Sequence, residues 1–557
     1  MGRSICCRFV RSLHKREAAH MAFVREDLFL TEEDKSQGFW VQDDAHLAYP
    51  FTPLFASYFI PAMSEGTRRA FAGMKFPVTQ FKAKIENGYF YQWAIPFAGD
   101  PQARAAEHVQ WGMERLPKVL ELFQSYIEKE FLPFYDRLDA FRASSFTKSE
   151  AVEMVQELHA FYQRAWELHF EIVMPRSVLL TGLSKTYAEL AGTENTSVIY
   201  DWLVGVMNKS LETDRGLWKL SQLANESPQL RDVLLGTEPT QLVAALSKTE
   251  EGCAFLSSVQ DFLEIYGYRA TNSHEFVEEI WVENPTPALT VIKRYLETGY
   301  DFERELQGMI ERRQQAFAAA METLPDGAVK QMFLSLYDLA LESWGLDEDH
   351  HFYIDAMLPA KSRLFLLAVG EQLVKSGVVE SPQDVFFFYL DELINVLREP
   401  VAFAELIEQR KDDWEASKSR KPTPTYGQPP EGDLNPALEE VMGPSAPQVE
   451  ATQIKGAAAS QGVYTGQVRV VLHPGDFSKI QPGEVLVCKT TTPAWTALFS
   501  VVGAIITDAG GILSHAGTVA REYKLPAVLG TRVATTMFRD GQTVTVDGTQ
   551  GVVRFHE

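Results

Sequence analysis

The sequence predicts a multidomain protein in which a large, mostly α-helical domain precedes a small α/β domain. At 557 residues the chain is longer than one ordinary hydrophobic core supports. Between about 105 and 410, apolar residues recur at intervals of three and four with charges between them, as in amphipathic helices. Between 451 and 557, short β-branched runs alternate with glycine turns, which indicates strands.

The helical domain is predicted to span residues 22–410. Its periodicity is clearest in the segments 107–142, 147–173, 300–323 and 328–344. Residues 22–100 are richer in proline, glycine and aromatic residues, so we expect irregular structure there, with some strand near 88–96. Residues 1–21 are basic and lack the apolar core of a signal peptide, which predicts a disordered or mis-assigned leader with Met21 as the true start.

Residues 411–450 are predicted to be a linker. They contain seven of the 28 prolines and three glycines, with many charges and few apolar residues. Such a segment cannot bury a core and behaves as a semi-stiff spacer. A linker of this length suits a final domain, residues 451–557, that moves relative to the rest.

Composition excludes several classes of protein. The formal charge of −23 argues against nucleic acid or an anionic membrane as a partner, because both need a basic surface. No run of 18 apolar residues occurs, so we expect no transmembrane helix. The cysteines have no metal-ligand spacing, so we assign no metal ligands and expect a reduced, cytoplasmic setting. They are Cys6, Cys7, Cys253 and Cys488.

The densest chemical signal follows a predicted buried strand, Ala504–Thr507. Gly510 and Gly511 come next, and paired glycines let a ligand approach the main chain closely. His515 then opens a helix that we predict to end near Tyr523. The start of a helix has unpaired N–H groups and a partial positive charge, both of which suit phosphate.

His515 is therefore the predicted nucleophile. The helix start keeps its imidazole neutral, so that one ring nitrogen can attack phosphorus. Ser514 and Thr518 lie near the unpaired amides and, with the glycine pair, are predicted to bind phosphate. The alternative is a structural histidine at a strand–turn–helix corner, which is the commoner role of an isolated histidine.

The flanking residues favour the first interpretation, because they resemble the phosphohistidine domain of phosphoenolpyruvate synthase and pyruvate phosphate dikinase. The shared residues are Gly510, Gly511, Ser514, His515, Ala516, Ala520, Arg521, Glu522, Pro526, Ala527, Val528, Gly530 and Thr531. The usual second alanine after the histidine is Gly517 here. The resemblance implies a small α/β swivelling domain, transient phosphorylation of His515 and a phosphate-binding role for Arg521.

A second resemblance lies in the helical region. Segment 344–393, with pieces at 49–54 and 266–285, is similar to the acceptor-side domain of the same superfamily. That superfamily includes rifamycin phosphotransferase and the phosphohistidine subunit of phenylphosphate synthase. Arg269 and His274, which lie in the third piece, are the predicted substrate-binding residues.

Segment 347–355 holds the candidates for activating an acceptor hydroxyl. On a regular helix Asp347, His351 and Asp355 share one stripe, while His350 points about 100° away. A histidine oriented by a carboxylate is suited to remove a proton. We favour His350, helped by Glu348 or Asp355, with His351 as the other candidate. A solvated polar face is the alternative to function. Rifamycin enzymes are expected to have basic residues here, which argues against a rifamycin-like acceptor.

The sequence lacks a phosphate loop of the GxxxxGK[ST] type and leaves no room for the ATP-grasp domain of the superfamily. The resemblance then implies the phosphohistidine-bearing subunit of a two-component phosphotransferase. Mg²⁺-ATP is expected on a separate ATP-grasp subunit, and phenol or a similar small aromatic is the expected acceptor. Two alternatives stay open: a larger hydroxylated natural product as the acceptor, and a non-enzymatic phosphocarrier or regulator.

Overall fold

The computed structural model describes residues 27–44, 46–193, 196–270, 274–429, 447–472, 474–491 and 495–556. The predicted leader and the middle of the predicted linker lie outside these ranges. Helices fill most of the chain up to residue 418. They are α1 Glu32–Gln37, α2 Pro53–Gly73, α3 Pro101–Arg115, α4 Val119–Tyr126, α5 Leu132–Ala143, α6 Lys148–Ala191, α7 Val198–Asp201, α8 Lys209–Asn225, α9 Pro228–Gly236, α10 Leu242–Leu246, α11 Glu250–Tyr266, α12 Thr286–Thr298, α13 Phe302–Thr323, α14 Ala328–Glu342, α15 Leu346–His350, α16 Met357–Lys375, α17 Leu390–Arg398 and α18 Ala404–Lys418.

Short stretches of other helix types join some of these helices. Two of them are π-helical, Ile127–Phe131 and His351–Ala356. The 3₁₀ turns in this part of the chain are Leu116–Lys118, Pro239–Gln241 and Pro382–Phe387. Among the described residues no helix is both long and apolar enough to cross a membrane.

Helix α6 is the long central element of the helical part. It has 44 residues and begins with a capping box in which Thr147 and Glu150 satisfy each other's backbone N–H groups. It ends at Gly192, whose φ of 63° is the left-handed conformation that a helix C-terminus favours in glycine. Helices α2 and α14 pack against it. A second, smaller core lies between Leu217 and Leu296.

The region before residue 100 is more regular than we predicted. The strand expected near 88–96 is present as β3, Tyr89–Pro96, paired with β2, Val78–Glu86. The expectation of otherwise irregular structure was wrong, because α2 spans 21 residues there. Its first half is continuously buried from Leu54 to Ile60, so exposed polar residues that could reveal its period occur only in its second half.

The predicted linker begins later than residue 411. Helix α18 continues to Lys418, with Ile407 fully buried and the Trp414 indole N–H donating to the carbonyl of Pro50 at 2.9 Å. Thr425–Tyr426 forms strand β4, which pairs with β1, Trp40–Gln42, and completes a four-stranded sheet in the order β2-β3-β1-β4. The prolines that stop a helix start only at Pro422, which explains the difference.

The C-terminal part is the predicted small α/β domain, built on a nine-stranded sheet. Its strands are β5 Gln448–Val449, β6 Gln453–Lys455, β7 Ala457–Ser460, β8 Val463–Val470, β9 Val485–Cys488, β10 Ala504–Thr507, β11 Ala527–Leu529, β12 Thr543–Asp547 and β13 Val552–Phe555. Their order is β5-β6-β13-β12-β8-β9-β10-β11-β7, with β8 to β11 parallel and the other pairings antiparallel. The helices are α19 Thr496–Phe499, α20 His515–Tyr523 and α21 Ala534–Met537, with a 3₁₀ turn at Pro474–Lys479.

Both faces of this sheet are covered. On β9, Val485 and Val487 point into one core, while Leu486 and Cys488 point into the other. Helix α20 packs Val519 on the second of these cores. The buried strand and the helix have the bounds that the sequence predicted, which places His515 at the first turn of α20.

Candidate active site

The loop that presents His515 is shaped by glycine and serine. Gly510 has a φ of 95°, and a Cβ there would lie 2.9 Å from Ser514 Oγ. Ser514 caps α20, donating its hydroxyl to the Gly511 carbonyl at 2.8 Å and accepting from the Gly517 N–H at 3.4 Å. A Cβ at residue 517 would lie 2.6 Å from the Ile512 carbonyl oxygen. Glycine rather than alanine at 517 therefore fits this particular loop.

His515 makes its principal contact with the helical part of the chain. Its Nδ1 lies 3.1 Å from Oε1 of Glu348 on α15, and its side chain is 7% exposed. The second carboxylate oxygen of Glu348 accepts the hydroxyl of Ser210 at 2.5 Å. Burial opposes the charge on Glu348, but His515, His351 and the Ser210 hydroxyl outweigh that penalty and lower its pKa to about 2.

A carboxylate at this position determines the tautomer of His515. Because an ionised carboxylate only accepts hydrogen bonds, Nδ1 must carry the proton that is shared with Glu348. The lone pair of the neutral ring then lies on Nε2. In the docked arrangement Nε2 is therefore the ring nitrogen with the lone pair, on the side of the ring away from Glu348.

A second cluster surrounds Asp355, just beyond Glu348. The His351–Ala356 segment is π-helical, so His350 and His351 both reach Asp355 instead of diverging by 100°. His351 Nδ1 lies 2.5 Å from Asp355 Oδ2, and His350 Nε2 lies 3.9 Å from the same oxygen. His169 Nδ1 on α6 lies 3.3 Å from Asp355 Oδ1. Asp347, predicted to share this stripe, instead forms an ion pair with Arg176.

The two adjacent histidines differ in charge and exposure. His350 has a 4% exposed side chain, and burial moves its pKa well below the usual value, which favours the neutral ring. His351 has a 27% exposed side chain. Burial would lower the pKa of His351, but the hydrogen bond and charge of Asp355 raise it above the usual value. His351 is thus the more accessible and more basic of the pair.

The two predicted substrate-binding residues lie in different surroundings. His274 joins the second cluster, with Nδ1 at 2.6 Å from the backbone oxygen of Asp355. Arg269 is buried, its Nη2 donates to the Thr213 hydroxyl at 3.0 Å, and burial lowers its pKa to about 10. The charge of Glu348 acts on Arg269, so this cation helps to balance the buried carboxylate.

Two of the predicted phosphate-binding residues lie deeper than expected. Thr518 is 2% exposed, and its backbone N–H donates to the Ser514 carbonyl. Arg521 lies six residues along α20, about 9 Å of helix rise from His515, and its Nη1 donates to the carbonyl of Ala459 at 2.7 Å. In this arrangement Arg521 attaches α20 to β7. Their phosphate-binding roles stay predictions.

Sequence reasoning missed the contacts that hold α20 against the helical part. Tyr523 donates its hydroxyl to Asp214 on α8 at 2.7 Å, and Tyr295 and Tyr300 donate to the same carboxylate. Asn208 Nδ2 lies 3.4 Å from Glu522 Oε1, and burial beside the charge of Glu348 raises the pKa of Glu522 to about 8. Residues so distant in sequence gave no signal before the fold was known.

More docking contacts lie around the rim of this interface. Tyr49 donates its hydroxyl to the Leu472 carbonyl at 3.2 Å, and Arg294 Nη2 donates to the Ile480 carbonyl at 3.1 Å. Arg532 forms an ion pair of 2.5 Å with Asp44. The C-terminal domain is therefore seated on the helical part through several polar contacts centred on α20.

Replacing Tyr523 with phenylalanine is expected to loosen this docking. The change removes one of three hydroxyls that Asp214 accepts, and the loss of a hydrogen bond to a buried charged group costs ~1.5–3 kcal/mol. Amide hydrogen exchange over residues 515–523 should accelerate about tenfold. Tyr464→Phe is the matched control, since its hydroxyl binds Gly483 within the C-terminal domain. Equal exchange in the two variants would contradict a docking role for Tyr523.

Comparisons with known proteins match both parts of the site. Residues 480–551 match the family described as PEP-utilising enzyme, mobile domain, and residues 169–348 match the rifampicin phosphotransferase fourth domain. The chain is 39% identical over 95% of its length to an uncharacterised phosphotransferase, YvkC, of Bacillus subtilis. It is 31% identical over 92% of its length to chondramide synthase of Chondromyces crocatus, and 27% identical over 71% to rifampicin phosphotransferase of Streptomyces sviceus. It spans 63%, 14% and 46% of the lengths of these three relatives.

Proposed function

We propose that His515 carries a phosphoryl group to an acceptor hydroxyl, as expected of a phosphotransferase with the PEP-utilising enzyme mobile domain that residues 480–551 match. The observation that carries the proposal is the 3.1 Å contact between His515 Nδ1 and Glu348 Oε1. This contact places the carrier histidine of the C-terminal domain against a buried carboxylate of the helical part. The matches to the PEP-utilising enzyme mobile domain and to rifampicin phosphotransferases agree with the two resemblances that the sequence shows.

The proposed transfer has two steps. Nε2 of His515 attacks a phosphorus atom of a nucleotide, forming a P–N bond while the P–O bond to the nucleotide breaks. The acceptor oxygen then attacks that phosphorus, the P–N bond breaks, and its electron pair returns to Nε2. The acceptor's proton passes to a nearby base. The imidazole of His515 is a good leaving group from phosphorus and the P–N bond is labile, so transfer from nitrogen to oxygen is favourable.

Motion of the C-terminal domain is part of the proposal. In the docked arrangement the His515 side chain is only 7% exposed, which leaves no access for a nucleotide-binding unit. The imidazole must therefore leave Glu348 to be charged and return to deliver. We propose that an ATP-grasp unit outside residues 1–557 binds Mg²⁺-ATP and charges His515, since these residues contain no GxxxxGK[ST] loop.

Glu348 is proposed to position the carrier, and His351 to activate the acceptor hydroxyl. Glu348 holds the Nδ1 proton of His515, which directs Nε2 at the phosphoryl group. His351 is oriented by Asp355 and is more exposed than His350, whose Nδ1 is engaged by the Leu346 carbonyl at 3.0 Å. This geometry favours His351 over the initially preferred His350. Polar groups beside the docked His515 also support an enzyme over a passive phosphocarrier.

The acceptor is proposed to be a hydroxylated compound. The rifampicin phosphotransferases among the relatives support a hydroxylated natural product about as large as rifampicin. Phenol or a similar small aromatic stays the alternative, and the closed site around His515 and Glu348 favours it, since both side chains are less than a tenth exposed. A panel that contains rifampicin, phenol and substituted phenols distinguishes the two classes.

Single-turnover delivery tests the proposed function. The chain is first charged chemically with phosphoramidate, a small phosphoryl donor that needs no nucleotide-binding unit. An acceptor from the panel should then accelerate loss of phosphate from the protein and appear as a phosphate ester. His351→Asn should charge normally but deliver ~10²–10⁴-fold more slowly, the usual cost of losing a general base. Release only as inorganic phosphate, at one rate with and without acceptors, would contradict the proposal.

A further inference from the structure

Three side chains in the helical part converge on one point, and His169 among them has no part in the proposed transfer. One nitrogen each from His169 and His350 and one oxygen from Asp355 all lie within 4.8 Å of one another. All three residues are at most 9% exposed. No local sequence pattern indicates this grouping, because 181 positions separate the two histidines.

Two of these atoms are buried without a hydrogen bond. His169 Nδ1 and Asp355 Oδ1 are 3.3 Å apart, but neither has an aligned hydrogen-bond partner among the described residues. Leaving such groups unsatisfied in the interior is costly. Ligands of a tetrahedral Zn²⁺ at ~2.0–2.1 Å from the ion lie roughly 3.3–3.4 Å from each other. The 3.3 Å between His169 Nδ1 and Asp355 Oδ1 matches the separation of two ligands on one ion.

His350 also has a ring nitrogen that is available to bind a metal ion. Its Nδ1 lies 3.0 Å from the Leu346 carbonyl oxygen, so Nδ1 is the donor and the lone pair is on Nε2. Histidines that bind metals commonly donate their other ring N–H to a backbone carbonyl in this manner. Nε2 lies 3.9 Å from Asp355 Oδ2, and the ligand atoms of the three residues lie within 4.8 Å of one another, so side-chain movement alone can bring them onto one ion.

The surroundings of Asp355 support a metal ion as well. His351 holds Asp355 Oδ2 at 2.5 Å, which fixes the carboxylate with Oδ1 turned toward His169. A cavity of about 10 Å³ adjoins Asp355 and His274, which is about the room that one water molecule needs. The arrangement thus provides three protein ligands for one ion.

We propose that His169 Nδ1, His350 Nε2 and Asp355 Oδ1 bind a divalent transition-metal ion, with Zn²⁺ as the first candidate. Two imidazoles and a carboxylate suit Zn²⁺, Co²⁺ or Mn²⁺ better than Mg²⁺ or Ca²⁺, which prefer oxygen ligands. The site differs from the Mg²⁺ expected with ATP, and it needs no phosphoryl transfer. Its open position would accept an oxygen atom from water or from a hydroxyl compound.

Titration of the full chain with metal tests this proposal independently of activity. The protein is stripped with a chelator, dialysed, and titrated with ZnCl₂ by calorimetry and with CoCl₂ by absorption spectroscopy. One equivalent of Zn²⁺ should bind, and Co²⁺ should develop the visible bands of a low-coordinate site. His169→Gln should weaken Zn²⁺ binding at least ~10-fold, since loss of even a supporting neighbour costs ~10–100-fold in metal affinity.

Two further variants make the result decisive. His108→Gln is the matched control: His108 is also buried in the helical part, and its Nδ1 bonds the Met74 carbonyl at 2.9 Å. It should bind Zn²⁺ like the wild type. Asp355→Asn replaces His169→Gln if the latter fails to fold by circular dichroism. Zn²⁺ should also raise the Tm of the wild type but not that of the ligand variants. No saturable binding, or binding that His169→Gln and Asp355→Asn leave unchanged, would overturn the proposal.

Discussion

His515→Asn is expected to lose phosphoryl transfer completely while remaining folded. The change removes Nε2, the atom proposed to bond to phosphorus, so delivery to any acceptor should fall by at least ~10⁴-fold, as when an enzyme's nucleophile is deleted. The asparagine amide can still donate to Glu348, so the docked arrangement should survive. Delivery is measured as phosphate ester formed in one turnover from protein treated with phosphoramidate.

The matched control for this variant is His556→Asn. His556 lies in the same domain but is exposed, and its Nε2 bonds the Thr545 hydroxyl at 2.6 Å. This control should charge and deliver like the wild type. Circular dichroism and the Tm of both variants show whether the domain is intact. Substantial delivery by folded His515→Asn would show that another residue carries the phosphoryl group.

Glu348→Gln is expected to slow delivery of the phosphoryl group from His515 without slowing the charging of His515. The buried carboxylate accepts the Nδ1 proton of His515 and is kept ionised, with its pKa lowered to about 2. A neutral amide holds the imidazole less well and can turn its NH₂ toward Nδ1, which disturbs the tautomer with the lone pair on Nε2. The rate of delivery should fall ~10²–10⁴-fold, the range seen when a carboxylate that orients a catalytic histidine is neutralised.

Charging by phosphoramidate should stay at the wild-type rate in Glu348→Gln, because His515 is charged away from Glu348. Glu342→Gln is the control, since Glu342 is exposed at the end of α14. If Glu348→Gln slows charging and delivery equally, Glu348 acts on the reactivity of His515 in both positions. If it slows neither, the 3.1 Å contact has no role in transfer.

Much of the C-terminal domain could be predicted from the sequence. The strand Ala504–Thr507, the glycine pair and the helix His515–Tyr523 follow from local patterns, namely β-branched runs, turn glycines and a serine cap. Those signals involve residues close together in sequence. The position of Gly517 became understandable only when the Ile512 carbonyl was seen at 2.6 Å from its would-be Cβ.

The helical part was predicted less completely, for two physical reasons. The first half of helix α2 is continuously buried, so exposed polar residues mark its period only in its second half. The π-helical turn at His351–Ala356 shifts side chains away from the positions of a regular helix, which brought His350 to Asp355 in addition to the predicted His351. Partners such as Ser210, Asp214 and His169 come from distant helices and become visible only in the folded chain.

The phosphate on the charged protein can be followed directly to learn whether His515 is the carrier. Of the 12 histidines, His515 alone should carry acid-labile, base-stable phosphate that disappears as the phosphate ester forms, mole for mole. Peptide mass spectrometry at alkaline pH, taken at intervals after an acceptor is added, measures both quantities. Phosphate that leaves another residue in step with the product, while His515 stays unmodified or unchanged, would contradict the central claim.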